Sequence, residues 1–316
     1  MVGLAYPSRQ GRHVKLYIGI TDYDWFRYLS SLQGVEEVNF WQPGGRTNFR
    51  ALQRGELFLF KLHAPRNFIV GGGVFDRADI LPTSLAWDTF GSENGAPSID
   101  EMRQRIAFYR GQQDDPRQDY MIGCRVLTQP FFFAEDEWIP IPASWSLHIQ
   151  QGRTYNTAEV DGSALWDAVM ARLARQPGVP ISVPRYGEPT IICPRLGQRS
   201  FRLNVMLEYQ RRCAVTGEKI WRVLEAAHIQ PYSEGGEHQI TNGLLLRTDI
   251  HRLFDLGYVT VTNDGHFEVG RQLKEDFENG RNYYAMHGCV LSPPVNPGLK
   301  PAREMLEWHR TKRFLG

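Results

Sequence analysis

A chain of 316 residues exceeds the usual size of one domain, about 100 to 200 residues, so two hydrophobic cores are expected. With 42% hydrophobic and 12% aromatic residues, and no run near the roughly 18 to 20 apolar residues of a membrane span, neither a disordered nor a membrane-spanning chain is expected. The net charge of +1 favours no partner, and the cysteines, Cys124, Cys193, Cys213 and Cys289, include no C-x-x-C pair, which argues against a disulfide framework or a treble-clef zinc site. The first residues, MVGLAYPSRQGRHVKLYIG, carry no apolar run ahead of their charges, so a cytoplasmic location is expected.

VKLYIGI reads as a strand, and Thr21 and Asp22 as caps of a helix through DWFRYLSSL. LFLFKLHAP and NFIVGGGVF read as strands joined by a turn at Ala64 to Asn67. Gly71 to Gly73 suit a bulge or a close approach of backbone; a phosphate-binding loop is rejected, because the G-x-x-x-x-G-K-[ST] spacing is missing. Residues 99–110 place Met102, Ile106 and Phe108 to Tyr109 at helical intervals, MIGCRVLTQPFFF reads as a buried strand, and Glu135 to Trp145 as extended chain. Ser163 to Arg175 is again helical. The four prolines of RQPGVPISVPRYGEPT then place a connection between domains near Gln176 to Pro189. The expected division is 1–160 for a first domain, 161–189 for a helix and linker, and 190–316 for a second domain.

SFRLNVMLEYQRRC fits an amphipathic helix leading to Cys213, whose reading is a buried small residue rather than a zinc ligand. VLEAAHI reads as a strand ending at His228, PYSEGGEHQITNG as a loop, GLLLR as a strand, and TDIHRLFDLG as a helix capped by Thr248 and ended by Gly257. On that helix His251 and Asp255 share one face, while Ile250, Leu253 and Phe254 share another. His238 reads as solvent-facing, with a substrate contact as the alternative, and His266 as part of an NDGH hairpin turn. Arginines and lysines crowd the approach to this segment, from Arg195 to Arg222, and the C-terminus, from Lys300 to Arg313; they suit phosphate neutralisation or a solvated face.

The β, loop, β, α order, with His228, Asn242 and His251 at its corners and AAHIQP, GGEHQITNGLLLR and DIHRLFD around them, resembles the HNH nuclease family with its ββα-metal core, over about Cys213 to Val261. The resemblance implies a phosphodiester hydrolase whose catalytic residues are His228, Asn242 and His251. His228 would be the base, His251 an imidazole metal ligand, and Asn242 a clamp across the loop. Many such sites carry an Asp or His ligand just before the base, where this chain has Ala227. Asp255 and Glu225 are the candidates to replace it, with Asp255 favoured, and His228 could itself be a ligand. The implied cofactor is a divalent metal ion, Mg²⁺ or Mn²⁺, with Ni²⁺ or Zn²⁺ as alternatives. Arg211, Arg212, Lys219 and Arg247 are the candidate DNA-binding residues.

In the first domain LYIGI, NFW, F-x-x-L-x-x-G-E-L-F-L-F-K and I-V-G-G-G-V-F resemble the PUA superfamily, with EVE, ASCH and SRA-like domains nearest. This resemblance implies an α+β protein: an N-terminal PUA-like β-barrel with helices, followed by the ββα-metal HNH domain. It also implies a pocket for a flipped or modified base, for which Asn39, Trp41, Phe49, Lys61, His63 and Trp87 are candidates, although most aromatic residues must be core. Together the two resemblances point to a modification-dependent restriction endonuclease acting on double-stranded, base-modified foreign DNA. Since one HNH centre cuts one strand, a homodimer is plausible. Two rivals stand beside it: a binder of modified nucleic acid with an inactive HNH region, and an HNH nuclease indifferent to modification.

Overall fold

A computed structural model describes residues 13–45, 49–113, 115, 117–175, 189–190, 192 and 197–316. The expected connection at 176–189 lies outside these residues except for Pro189, as do Cys193 and Arg195. The chain divides into two units, 1–195 and 196–316.

In the first unit the elements are β1 (Lys15–Thr21), α1 (Tyr23–Ser31), β2 (Glu37–Gln42), β3 (Leu57–Leu62), β4 (Phe68–Pro82), α2 (Thr83–Phe90), α3 (Ile99–Tyr109), β5 (Met121–Phe132), β6 (Ile139–Pro140), β7 (Gly152–Asn156) and α4 (Val160–Leu173). They build one sheet in the order β2-β5-β4-β3-β1-β7, with β6 added to β4. Only β1 and β3 run parallel. Alternation along the strands sends Leu16, Ile18, Leu57 and Leu59 to one face, where Leu165, Trp166, Val169 and Leu173 of α4 cover them. Tyr17, Phe58 and Phe60 go to the other, beneath Trp25, Phe26 and Leu29 of α1. With both faces covered, β3 is buried along its whole length, which is why LFLFKL is an unbroken apolar run apart from Lys61. Each fully buried Leu or Ile contributes roughly 1.5–3 kcal/mol.

The expected barrel is not there: β2 and β7 are the two ends of an open sheet. Tryptophans tie β2 and α1 to the segment that follows α2. Trp25 lies edge-on to Phe40 of β2 and Phe60 of β3, and the indole N–H groups of Trp25 and Trp41 both donate to the Asn94 carbonyl. Gly71 and Gly72 do serve a close approach, since a Cβ would lie 2.3 Å from the Phe131 carbonyl oxygen at one and 2.6 Å from that of Phe58 at the other. Phe108 and Tyr109 do not join the packed face of α3; Phe108 is exposed, and Tyr109 donates to the Asp22 carboxylate.

In the second unit the elements are α5 (Gln198–Glu208), β8 (Leu224–His228), β9 (Gly243–Arg247), α6 (Thr248–Asp255), β10 (Val259–Val261), β11 (Phe267–Val269), α7 (Gln272–Phe277), α8 (Arg281–Tyr284) and α9 (Arg303–Lys312). β8 and β9 form an antiparallel pair that sets His228 opposite Gly243. α5 packs on this pair, and Gly243 makes that approach feasible: a Cβ there would sit 2.6 Å from Val205 and 3.0 Å from Phe201. α6 buries Ile250 and Phe254. Its N-cap is Arg247; Thr248, expected at that position, is the first helical residue and donates its hydroxyl to the Val223 carbonyl. From α9, buried His309 stacks on Phe254 at 3.6 Å, donates through Nε2 to the Phe254 carbonyl and accepts at Nδ1 from Thr260.

Candidate active site

The last residue of β8 and the outer face of α6 meet at a cleft of about 450 Å³, lined by His228, His251, Asp255, Gln198, Tyr232, Arg252 and Arg313 among others. The strand pair fixes the height of His228, and the helical four-residue step places His251 and Asp255 side by side with their imidazole Nε2 and carboxylate 3.4 Å apart. The other nitrogen of His251, Nδ1, lies 2.7 Å from Glu225 on β8. Glu225 does not line the cleft. A carboxylate on one ring nitrogen fixes the tautomer and orientation of an imidazole whose other nitrogen faces a ligand.

His228 stacks on Phe201 of α5 at 3.9 Å, with rings 16° from parallel, and its Nε2 lies 2.9 Å from Nδ1 of His238. Burial, followed by the charges of His238 and His251, pushes the His228 imidazole down to about 4. The ring is therefore neutral at neutral pH, the form able to accept a proton. Asn242 is buried and holds the intervening loop at both ends: its Oδ1 accepts from the Gln230 N–H at 2.9 Å, and its Nδ2 donates to the carbonyls of Gln230 and Glu237 at 2.9 and 3.0 Å. Gly236 lets the loop fold back, because a Cβ would lie 1.9 Å from the Gln230 oxygen.

Among the described residues no three His, Cys, Asp or Glu side chains gather into a ready-made cation shell. The donors that face the cleft, one imidazole and one carboxylate 3.4 Å apart, fit a divalent cation whose remaining positions are filled by phosphate and water oxygens. Ala227, which stands just before His228, is fully buried and is not part of the cleft lining.

Of the candidate DNA-binding residues, Arg212 and Lys219 are exposed and Arg211 is half-buried. Arg247 is tied to Asp249 by two bonds of 2.6 and 2.7 Å, and this pairing holds the Asp249 carboxyl low. Of the two arginines that the cleft does contain, Arg313 belongs to the C-terminal basic cluster noted in the sequence, whereas Arg252 was not singled out on sequence grounds. Neither was Phe201, and His238, expected to face solvent from its Gly-rich loop, is half-buried. It stacks on Tyr232 at 4.8 Å and meets His228. The GG pair beside it was the available signal, since two glycines permit a loop to turn inward as well as outward.

The first unit carries a larger cleft, about 750 Å³, at the open side of the sheet, lined by β1 and β2 residues with Asp22, Trp41, Gln42, His63, Tyr109, Arg110, Gln150 and Gln151. It brings together Trp41 and His63 of the six candidate base-binding residues. Asn39 is buried against Asn94 and Cys124; Phe49 packs on Tyr17, Phe58 and Phe75; Lys61 is buried against the Leu62 carbonyl, Asn67 and Trp145. Trp87, on α2, is not part of the lining.

Residues 213–262 match the family model described as HNH endonuclease, so the second unit carries an HNH endonuclease domain. No curated protein matches the chain. A solved structure titled "Modification dependent TagI restriction endonuclease" aligns with 94% of this chain and 81% of its own at 14% identity and a TM-score of 0.28, too slight a likeness to transfer any property. No helix among the described residues is long and apolar enough to cross a membrane.

Proposed function

We propose that this chain is a metal-dependent DNA endonuclease directed to DNA with modified bases. The observation that carries the nuclease reading is the convergence of His228, His251 and Asp255 on one cleft inside the segment that matches the HNH endonuclease family. Members of that family generally use a divalent metal ion. Here His251 Nε2 and Asp255 would hold it, with Glu225 orienting His251 from behind. When bound, the ion offsets the negative charge that develops on the phosphoryl oxygens. His228, kept neutral, takes the proton from the attacking water; Arg252, beside Arg313 with its Glu234 partner, draws the phosphate into the cleft.

The cleft of the first unit supports the targeting half of the proposal. Trp41 and Tyr109 offer flat apolar surfaces, and Gln42, Gln150, Gln151, Asp22 and Arg110 offer donors and acceptors, the combination that reads a planar heterocycle by stacking and by its hydrogen-bonding edge. A homodimer, with one HNH centre per strand, would give double-strand breaks. A second reading, a binder of modified nucleic acid whose HNH region does not cut, is favoured by Ala227 and the incomplete protein shell.

Digesting a panel of phage DNAs that differ in base modification, with Mg²⁺ or Mn²⁺, tests both halves. Wild type should cut modified DNA at least about 10-fold faster than unmodified DNA, and His228→Ala should bind without cutting. Equal cutting of all DNAs removes the modification dependence. Binding with no cutting by wild type supports the second reading.

A further inference from the structure

The site described above holds a histidine that neither the family match nor the proposed function assigns. His238 comes from the middle of the loop between β8 and β9, and three features hold it against His228. Asn242 clamps the carbonyl of Glu237, the residue before it; Gly236 lets the chain turn inward; and Tyr232 stacks flat on its ring, 4° from parallel. Phe201 supports the other side of the pair, 3.9 Å from His228 and 5.9 Å from His238 between ring centroids. So an exposed loop has been folded to deliver one ring nitrogen to one ring nitrogen, Nδ1 of His238 to Nε2 of His228, at 2.9 Å.

Two neutral imidazoles in contact can share their proton in only two ways. If His238 carries it on Nδ1 and donates, His228 has its own proton on Nδ1 and spends its one lone pair on the hydrogen bond. It then has nothing with which to accept a proton from water. If His228 carries it on Nε2 and donates to His238, its lone pair is on Nδ1 and free. Only the second arrangement makes His228 a base, and it requires an acceptor where His238 places one.

We propose that His238 is the positioning residue of the site: by accepting the Nε2–H of His228, it selects the tautomer with a free Nδ1 lone pair and holds the ring in line for proton abstraction. The inference rests on the nuclease reading for its consequence, though not for its geometry. In the step it serves, Nδ1 of His228 takes a proton from water, the water oxygen bonds to phosphorus, and the phosphorus–oxygen ester bond breaks with its electron pair leaving on the ester oxygen. The imidazolium so formed keeps its Nε2–H directed at His238, which stabilises the new charge. The arrangement parallels a buried acceptor fixing the tautomer of a catalytic histidine in hydrolases, with an uncharged ring in place of a carboxylate.

Two substitutions separate this role from packing. His238→Phe keeps a flat ring on Tyr232 and removes Nδ1; His238→Asn gives up the ring and keeps a side-chain amide that can accept near the Nδ1 position. With Mn²⁺ and a plasmid substrate, His238→Phe should lower kcat by about 10- to 100-fold with little change in KM, and His238→Asn should recover most of that loss. Nitrogen-15 NMR of the imidazoles should show His228 protonated on Nε2 in wild type and in His238→Asn, and a mixture of tautomers in His238→Phe. Wild-type kcat in a folded His238→Phe protein overturns the proposal, as does an equal loss in both variants, which would assign the effect to loop packing. If wild type cuts no DNA, the nuclease reading fails while the NMR comparison still decides the pairing: an unchanged His228 tautomer in His238→Phe overturns it.

Discussion

His228 and His251 line the same cleft, yet their neighbours prepare them for different work. His251 has carboxylates at both ring nitrogens, Glu225 at 2.7 Å and Asp255 at 3.4 Å, whereas His228 meets an aromatic ring and a second imidazole. Since burial lowers His228 to about 4 from its ordinary 6.5, its ring should stay uncharged as pH falls from 7 toward 5 and take up a proton only around 4, an outcome read by NMR titration of the metal-free protein. Asn242 makes its contribution through the loop. Asn242→Ala removes three hydrogen bonds and strands the carbonyls of Gln230 and Glu237, so it should cost about 2–4 kcal/mol by urea denaturation and raise amide exchange across residues 230–239. The identity of these residues was legible in the spacing of His, Asn and His. The partner of His228 was not, because a loop of Gly, Glu and Gln has no periodicity to tell an inward side chain from an outward one.

At the scale of elements the cleft depends on α5 lying close to β9. Gly243→Ala would put a methyl 2.6 Å from Val205 and 3.0 Å from Phe201, and Phe201 is the ring beneath His228. The variant should lose about 1–3 kcal/mol and cut more slowly than its remaining stability accounts for, measured by thermal melting beside single-turnover cleavage. Most element positions followed from local signals: short runs bounded by turn residues marked β8 and β9, and the 3.6-residue period marked α3, α5 and α6. The end of α6 was legible as well, since Gly257 takes a left-handed φ of 83° with the Arg313 carbonyl where a Cβ would go. Its beginning was misread by one position, because the Thr248 hydroxyl is drawn to Val223, a residue distant in sequence that propensity does not register.

At the scale of the whole molecule, the buried His309 bears on acid stability, and the cleft of the first unit bears on the proposed choice of DNA. His309 ties α9 to α6 and β10, and burial lowers it to about 4. Between about 6.5 and 4 the unfolded chain takes up a proton that the folded chain refuses; stability is therefore full above about 6.5, falls as pH drops through that window and levels off below 4, with roughly 3 kcal/mol at stake for this group. His309→Gln should flatten that dependence in urea midpoints measured from pH 7.5 to 4.5. In the first unit, Trp41→Ala should reduce the preference for modified over unmodified DNA by about 10-fold, with cutting of unmodified DNA unchanged, a test of whether the cleft at the open sheet reads the base.

The sequence by itself determined the HNH segment with its spaced His228, Asn242 and His251 and most helices and strands, because these follow from short-range spacing, the periods of 2 and 3.6 and punctuation by glycine and proline. Only the tertiary structure decided that the first sheet stays open, because strand order is set by pairings between segments distant in sequence, and these leave β2 and β7 at its two ends. It also sorted the candidate base-binding residues: Trp41 and His63 line a cleft, Asn39 and Lys61 are buried in the sheet, and the half-buried Phe49 packs on Tyr17, Phe58 and Phe75, a distinction set by contacts between elements distant in sequence. The meeting of His238 with His228 belongs to the same class, because the closure of a loop is fixed by contacts from Asn242, Tyr232 and Phe201 that lie on separate elements.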